Sequence, residues 1–199
     1  MGPLNQDLPS LAEDQTFANN WVQTYIVPYK YSIKFCYLAR ANEVIPGDES
    51  SYVFPAMKRV KKALRSYNIS IRVTTSVASQ VLGQSFPPSI STFSEESKSV
   101  MTQIAQYLKA KDPHYLVVAS ETGWPSAGDR FAIVDLAKTY NNNLVKHVKS
   151  QKMATPLKPE ERFEAYIFAL FNENLKPAGV EQHCGLFYPN MAPVYPIKF

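Results

Sequence analysis

At 199 residues, 45% of them hydrophobic and 13% aromatic, the chain is long enough for one well-packed domain. Its net charge of +4 is dispersed, and the densest cluster, Lys58-Arg59-Val60-Lys61-Lys62, reads as the solvated face of a helix rather than a nucleic-acid patch. No stretch approaches 18 apolar residues, so no membrane span is expected. Neither of the two cysteines has metal-ligand spacing, and His114, His147 and His183 do not cluster, so no zinc site is expected.

In chain order, residues 8–30 read as a helix, because Phe17, Trp21, Val22 and Tyr25 recur at helical spacing and Pro28 ends the run. Residues 33–44 read as a strand, and Pro46-Gly47 as the turn after it. A helix over 49–67 carries an apolar stripe of Tyr52, Ala56, Val60, Ala63 and Leu64. The β-branched run 69–77 reads as a strand, and the Pro-, Ser- and Gly-rich run 83–97 as a loop. A helix over 96–111 follows, with Val100, Ile104 and Leu108 on one face, and Asp112-Pro113 stops it. A strand is expected over 115–120, a helix over 130–151, a linker over 156–159, and an apolar strand over 163–174. The proline-rich tail reads as extended. Strict alternation of helix and strand predicts an α/β fold with a parallel sheet, whose strands are apolar on both faces. Cys36 and Cys184 both sit in apolar text, as two buried thiols or as one long-range disulfide. Asn68-Ile69-Ser70 is a glycosylation sequon, relevant only in the secretory pathway.

Three strands share one feature. The runs from Tyr37 to Glu43, Tyr115 to Glu121 and Tyr166 to Glu173 each end in a carboxylate preceded by a small polar residue: Asn42, Ser120 and Asn172. In parallel α/β folds, catalysts and ligands gather at the C-terminal ends of the strands. Two carboxylates facing across a cleft are the apparatus of glycoside hydrolysis: one is kept neutral to protonate the leaving oxygen, the other ionised to attack the anomeric carbon. Asn42, beside Glu43, is placed to donate to a sugar 2-hydroxyl, and Trp124 offers an apolar face for a pyranose ring.

The quoted residues carry a resemblance. ASETGWPSAGD, from Ala119, resembles the nucleophile segment of the plant endo-1,3-β-glucanases of glycoside hydrolase family 17. ANEVIPG, from Ala41, resembles that family's proton-donor segment. VLGQSFPPSISTF, FANNWVQTYIVPY and the last 34 residues match its text as well. The resemblance implies a (β/α)8 TIM-barrel fold and retaining hydrolysis of internal bonds in 1,3-β-glucan, without a cofactor. By the same resemblance Glu121 is the nucleophile and Glu43 the general acid/base. Asn42 holds the 2-hydroxyl, Trp124 and Phe171 line the cleft, and Glu173, Lys176 and Glu181 support the nucleophile or bind sugar. Lys176 also reads as a salt-bridge partner that fixes the carboxylates. The implied partner is the polysaccharide, with no nucleic acid; the sequence sets no oligomeric state. Family members are secreted to the apoplast, cell wall or vacuole, yet residues 1–7 lack a basic region followed by an apolar run, so no signal peptide is expected here.

The chain departs from that pattern. A (β/α)8 barrel takes about 250 residues. The matching text begins in the helix that follows barrel strand three, and the passage from DPHYL to VVASETGWPS skips strand six and its helix. What remains is expected to correspond to strands four, five, seven and eight: one partial barrel domain over residues 1–199. Four parallel strands cannot close that barrel, so a non-catalytic glucan-binding protein or an inactive truncated product is the alternative. Ala41 stands where glycine usually precedes the asparagine, Arg40 brings a charge beside Glu43, and Cys184 replaces an aromatic.

Overall fold

A computed structural model describes residues 2–111, 117–150 and 164–199. The chain divides into two compact units, Met1–Tyr115 and Leu116–Phe199.

The first unit is built on α1 (Leu8–Glu13), α2 (Gln15–Tyr25), β1 (Tyr37–Asn42), α3 (Ser50–Ser66), β2 (Arg72–Ser76) and α4 (Glu95–Lys111). The helix expected over 8–30 is broken in two. Asp14 takes an extended backbone, and its carboxylate accepts the Thr16 amide at 2.7 Å, which caps α2 and ends α1. Both halves still face one core, since Leu8, Leu11, Ala18 and Val22 are fully buried beside Leu38 of β1 and Met57, Val60 and Leu64 of α3. The basic cluster is only in part a solvated face. Arg59 Nε donates to the Ala12 carbonyl at 2.7 Å, and Lys61 Nζ donates to the Ile71 carbonyl at 2.8 Å. Burial first, and the Arg65 charge second, hold the Lys61 ammonium below its usual pKa. β1 and β2 pair in parallel, as expected for a crossover through α3. The strands are shorter than the apolar text, and their faces are not uniformly buried: in β2, Val73 is buried while Arg72 is exposed.

The second unit contains β3 (Val118–Thr122), α5 (Val134–Lys149) and β4 (Glu164–Ile167), followed by an irregular tail. β3 and β4 are again parallel. The linker expected over 156–159, the stop at Asp112-Pro113 and the outer ends of two strand readings lie outside the described residues. A small core gathers Ala137 of α5 with Leu186, Val194 and Tyr195 of the tail. Two adjacent asparagines of α5 fasten that tail. Asn141 is fully buried and donates from Nδ2 to the Tyr195 hydroxyl at 2.6 Å. Asn142 donates to the Pro196 carbonyl at 3.1 Å and accepts the Lys198 amide at 3.1 Å.

Tyr195 makes this clasp sensitive to alkali. Burial pushes its phenol above the ordinary value, and the Asn141 bond only partly opposes that. A raised folded pKa means that the neutral phenol stabilises the fold fully below the unfolded value of about 10, and that this contribution is lost as pH rises through the folded value. Urea midpoints measured across that range should therefore fall with pH. Tyr195→Phe should remove this slope while costing about 1–3 kcal/mol at neutral pH, because the buried Asn141 amide loses its acceptor.

Candidate active site

Glu43 directly follows β1, and Glu121 is the penultimate residue of β3. Both strands carry the same irregularity just before the carboxylate. From Ala39 to Asn42, β1 spends three steps while β2 spends two, from Thr74 to Ser76. From Ala119 to Thr122, β3 likewise spends three steps against two in β4, from Ala165 to Ile167. Each slip inserts one residue, breaks the period of two, and re-aims the side chains at the strand tip, as bulges beside active sites do.

At β1 the bulge delivers a strained residue. Glu43 has φ of 55°, in the left-handed region that bulky residues avoid. Such a backbone costs on the order of 1–3 kcal/mol and persists only where its surroundings hold it. The Glu43 amide donates to the Ser76 carbonyl at 3.2 Å. Asn42 and Glu43 both expose their side chains to solvent, while the Arg40 side chain lies outside the described residues.

The Thr122 carbonyl accepts the Phe168 amide at 2.8 Å, and its hydroxyl lies 2.6 Å from the Tyr140 hydroxyl. Gly123 is required by closeness: a Cβ there would stand 2.1 Å from the Phe168 carbonyl oxygen. Trp124 is half-buried, packs its ring 5.6 Å from that of Tyr140, and donates its indole N–H to the Phe131 carbonyl at 2.9 Å. Ser126 ties the following loop to the tail through two bonds to the His183 carbonyl, at 2.8 and 2.9 Å.

Glu173 does not terminate a strand. β4 ends at Ile167, six residues earlier, and irregular chain carries Glu173. The reason is the tail, which takes over the pairing: Ala169, Leu170 and Asn172 exchange backbone bonds with Cys184, Leu186 and Phe187. Phe171 is half-buried, with its ring 6.3 Å from that of Phe187. Lys176 gathers the charges of this segment. Its Nζ lies 2.8 Å from Glu173, 3.3 Å from Glu181 and 4.7 Å from the centre of the Phe168 ring. The hydrogen bond that the ammonium donates to the Glu173 carboxylate is the main reason it is held above the usual lysine range. Glu173, Asn174, Leu175 and Lys176 line an open recess of about 330 Å³.

Sequence reasoning underrated two residues here. Asn172 is buried and accepts the Gly185 amide on Oδ1 at 2.9 Å. Gln182 bridges the loop, donating to the Lys176 carbonyl at 2.6 Å and accepting the Glu173 amide at 3.2 Å. The only local signal was the Asn-Glu pair at 172–173, which repeats the pair at 42–43. Cys36 and Cys184 are both free thiols, and Cys36 is exposed rather than buried. Burial first, then the Glu181 carboxylate, raise the Cys184 thiol; the Glu121 carboxylate acts in the same direction. Because the thiolate is the reactive form, Cys36 should alkylate about ten-fold faster than Cys184 at pH 8. Peptide mass spectrometry after iodoacetamide treatment measures this, and equal rates would contradict it.

The profile of the family described as Glycosyl hydrolases family 17 matches residues 1–119 and 111–199, which together span the chain. The protein belongs to glycosyl hydrolases family 17. Among solved family relatives, CJP38, a β-1,3-glucanase and allergen of Cryptomeria japonica pollen, superposes with a TM-score of 0.92 at 35% identity, covering 100% of this chain and 82% of its own. A structure from a study of two plant β-glucan endohydrolases with distinct substrate specificities gives 0.89 at 32% identity, over 100% of this chain and 83% of its own. A glucan endo-1,3-β-glucosidase of Vitis vinifera is 33% identical over 263 residues, covering 98% of this chain and 75% of its own length. That span exceeds the 199 residues present, so the alignment passes over family sequence that has no counterpart inside this chain. The two family matches meet at residues 111–119. Among the described residues, no helix is long and apolar enough to cross a membrane.

Proposed function

We propose that the protein hydrolyses internal 1,3-β-glucosidic bonds in 1,3-β-glucans with retention of configuration. Glu121 attacks the anomeric carbon while Glu43 gives its proton to the departing glycosidic oxygen, leaving a glycosyl ester on Glu121. Glu43 then takes a proton from water, whose oxygen displaces the ester and restores the β-configuration. Asn42 donates to the 2-hydroxyl of the reacting sugar. Trp124 and Phe171 offer apolar faces to pyranose rings. The Glu173–Lys176–Glu181 group supports the nucleophile or binds sugar hydroxyls. The strands β1, β2, β3 and β4 correspond in this reading to barrel strands four, five, seven and eight of a single partial domain over residues 1–199. In this reading the protein shares the compartments of its family, the apoplast, cell wall or vacuole.

The observation that carries this reading is the likeness over essentially the whole chain to proteins named as glucan endo-1,3-β-glucosidases. Two bulged strand tips, each bearing a carboxylate, supply the matching chemistry. Laminarin incubated with the protein should release reducing ends. Proton NMR of the first products should show the β-anomer before mutarotation. First products in the α-configuration would refute retention.

A second reading is a glucan-binding chain without turnover. The family sequence missing between the two matched stretches favours it, because a barrel lacking an internal segment loses substrate loops and strand pairing. Retained pull-down on insoluble 1,3-β-glucan, with no reducing ends from laminarin, would select it.

A further inference from the structure

Asn5 stands at the start of a short turn, Asn5–Asp7, that leads into α1. Its side chain reaches 37 residues along the chain to the tip of β1. The Asn5 Nδ2 donates to the Asn42 carbonyl at 3.0 Å, and the Asn42 amide donates to the Asn5 Oδ1 at 3.0 Å. In a strand, the N–H and C=O of one residue point the same way, so a carboxamide that meets both reproduces the bonding of a neighbouring strand. The next amide, that of Glu43, points to the other side, onto the Ser76 carbonyl at 3.2 Å. The tip of β1 is thus held from both edges at the residues where the bulge and the left-handed backbone occur. The clamp itself is anchored. Leu8 and Leu11, one turn on, are fully buried in the core, and the Asp7 amide closes the turn on the Leu4 carbonyl at 3.1 Å.

We infer that Asn5 is a positioning residue for the acid/base: by clamping both peptide groups of Asn42 it fixes the backbone that aims the Glu43 carboxyl and the Asn42 amide. Without it, Asn42 would lose two bonds at an exposed edge, and the strained conformation of Glu43 would relax. The inference rests on Glu43 acting as acid/base, and its test separates the two.

Two readouts are needed, on Asn5→Ala and on Asn5→Asp, which keeps the acceptor but loses the donor. The first is amide hydrogen exchange. In Asn5→Ala, the Asn42 and Glu43 amides should exchange at least about ten-fold faster, while those of Leu38 and Val73 stay unchanged. The second compares kcat/KM on laminarin with kcat/KM on a dinitrophenyl β-glucan oligosaccharide, whose leaving group needs no proton. A misplaced acid should lower the first by about 10- to 100-fold and leave the second within about two-fold. Asn5→Asp should fall between wild type and Asn5→Ala in both readouts. Equal losses on the two substrates, or unchanged exchange at Asn42 and Glu43, would overturn the inference. A wild type that cleaves neither substrate would overturn the acid/base reading and with it the purpose of the clamp, while exchange would still decide whether the clamp holds Asn42.

Discussion

Glu121→Gly should lower turnover of 1,3-β-glucan by about 10⁴-fold or more, and azide should restore it with an α-glycosyl azide as product. A loss of that size is about 5.5 kcal/mol of transition-state stabilisation. The sign of the rescue follows from geometry. Azide takes the space of the removed carboxylate and attacks the anomeric carbon from that face; the product is never turned over a second time, so its configuration is inverted. Glu43→Gly should behave differently. Its kcat/KM on glucan should fall by about 10²- to 10⁴-fold, while a dinitrophenyl glycoside, which needs no protonation, should still form the glycosyl–enzyme. Azide then intercepts that intermediate and yields the β-azide. The anomer measured by NMR therefore assigns each carboxylate independently of the other. Interchanged products would exchange the roles of Glu43 and Glu121, and a full loss in both variants with no azide product would remove both from the chemistry.

Much of the fold was legible because its signals are local. The stripe on α3 predicted a helix over 49–67, and the helix runs from Ser50 to Ser66, since burying Ala56, Val60, Ala63 and Leu64 on one face needs no knowledge of the partner. The parallel pairing followed from the alternation of elements. The break at Asp14 was hidden because helical spacing runs through it: both short helices bury apolar residues in the same core, and one capping carboxylate decides the break. The bulges were hidden because register belongs to two strands at once, and neither sequence contains it alone. For the same reason Glu173 looked like a third strand tip. Its apolar run pairs with the tail rather than continuing β4, and that competition for backbone partners is not written in residues 166–173. The cluster around Lys176 was legible as one of two alternatives, because a lysine three residues after a glutamate is within reach of it, and the pair forms at 2.8 Å. The clamp on Asn42 was not legible at all, since nothing in a lone asparagine announces a partner 37 residues away.

Gly185→Ala should destabilise the second unit by about 3 kcal/mol or more, a midpoint shift of about 15 °C for a unit of this size. The residue lies where two backbones nearly touch. A Cβ on Gly185 would stand 2.0 Å from the Asn172 nitrogen, 2.2 Å from the Phe171 carbonyl carbon and 2.8 Å from the Asn172 Cα. All three are main-chain atoms, so no rotamer change relieves the clash; the segments must part. Parting them strains the Gly185 amide bond to Asn172 Oδ1, the Asn172 amide bond to the Phe187 carbonyl, and the bond from the Leu186 amide to the Ala169 carbonyl. Each is worth about 0.5–1.5 kcal/mol net, and a buried amide left without an acceptor costs more. Asn172→Ala, which opens space but strands the Gly185 amide, should cost about 1–3 kcal/mol by that last effect alone. The damage should also reach the charged cluster, because Asn172 precedes Glu173 and Gly185 follows Cys184. Iodoacetamide should label Cys184 faster in Gly185→Ala than in wild type, with labelling of Cys36, in the other unit, unchanged. If the thermal midpoint and the Cys184 rate both stay at wild-type values, the close approach of these two segments is not what holds the second unit together.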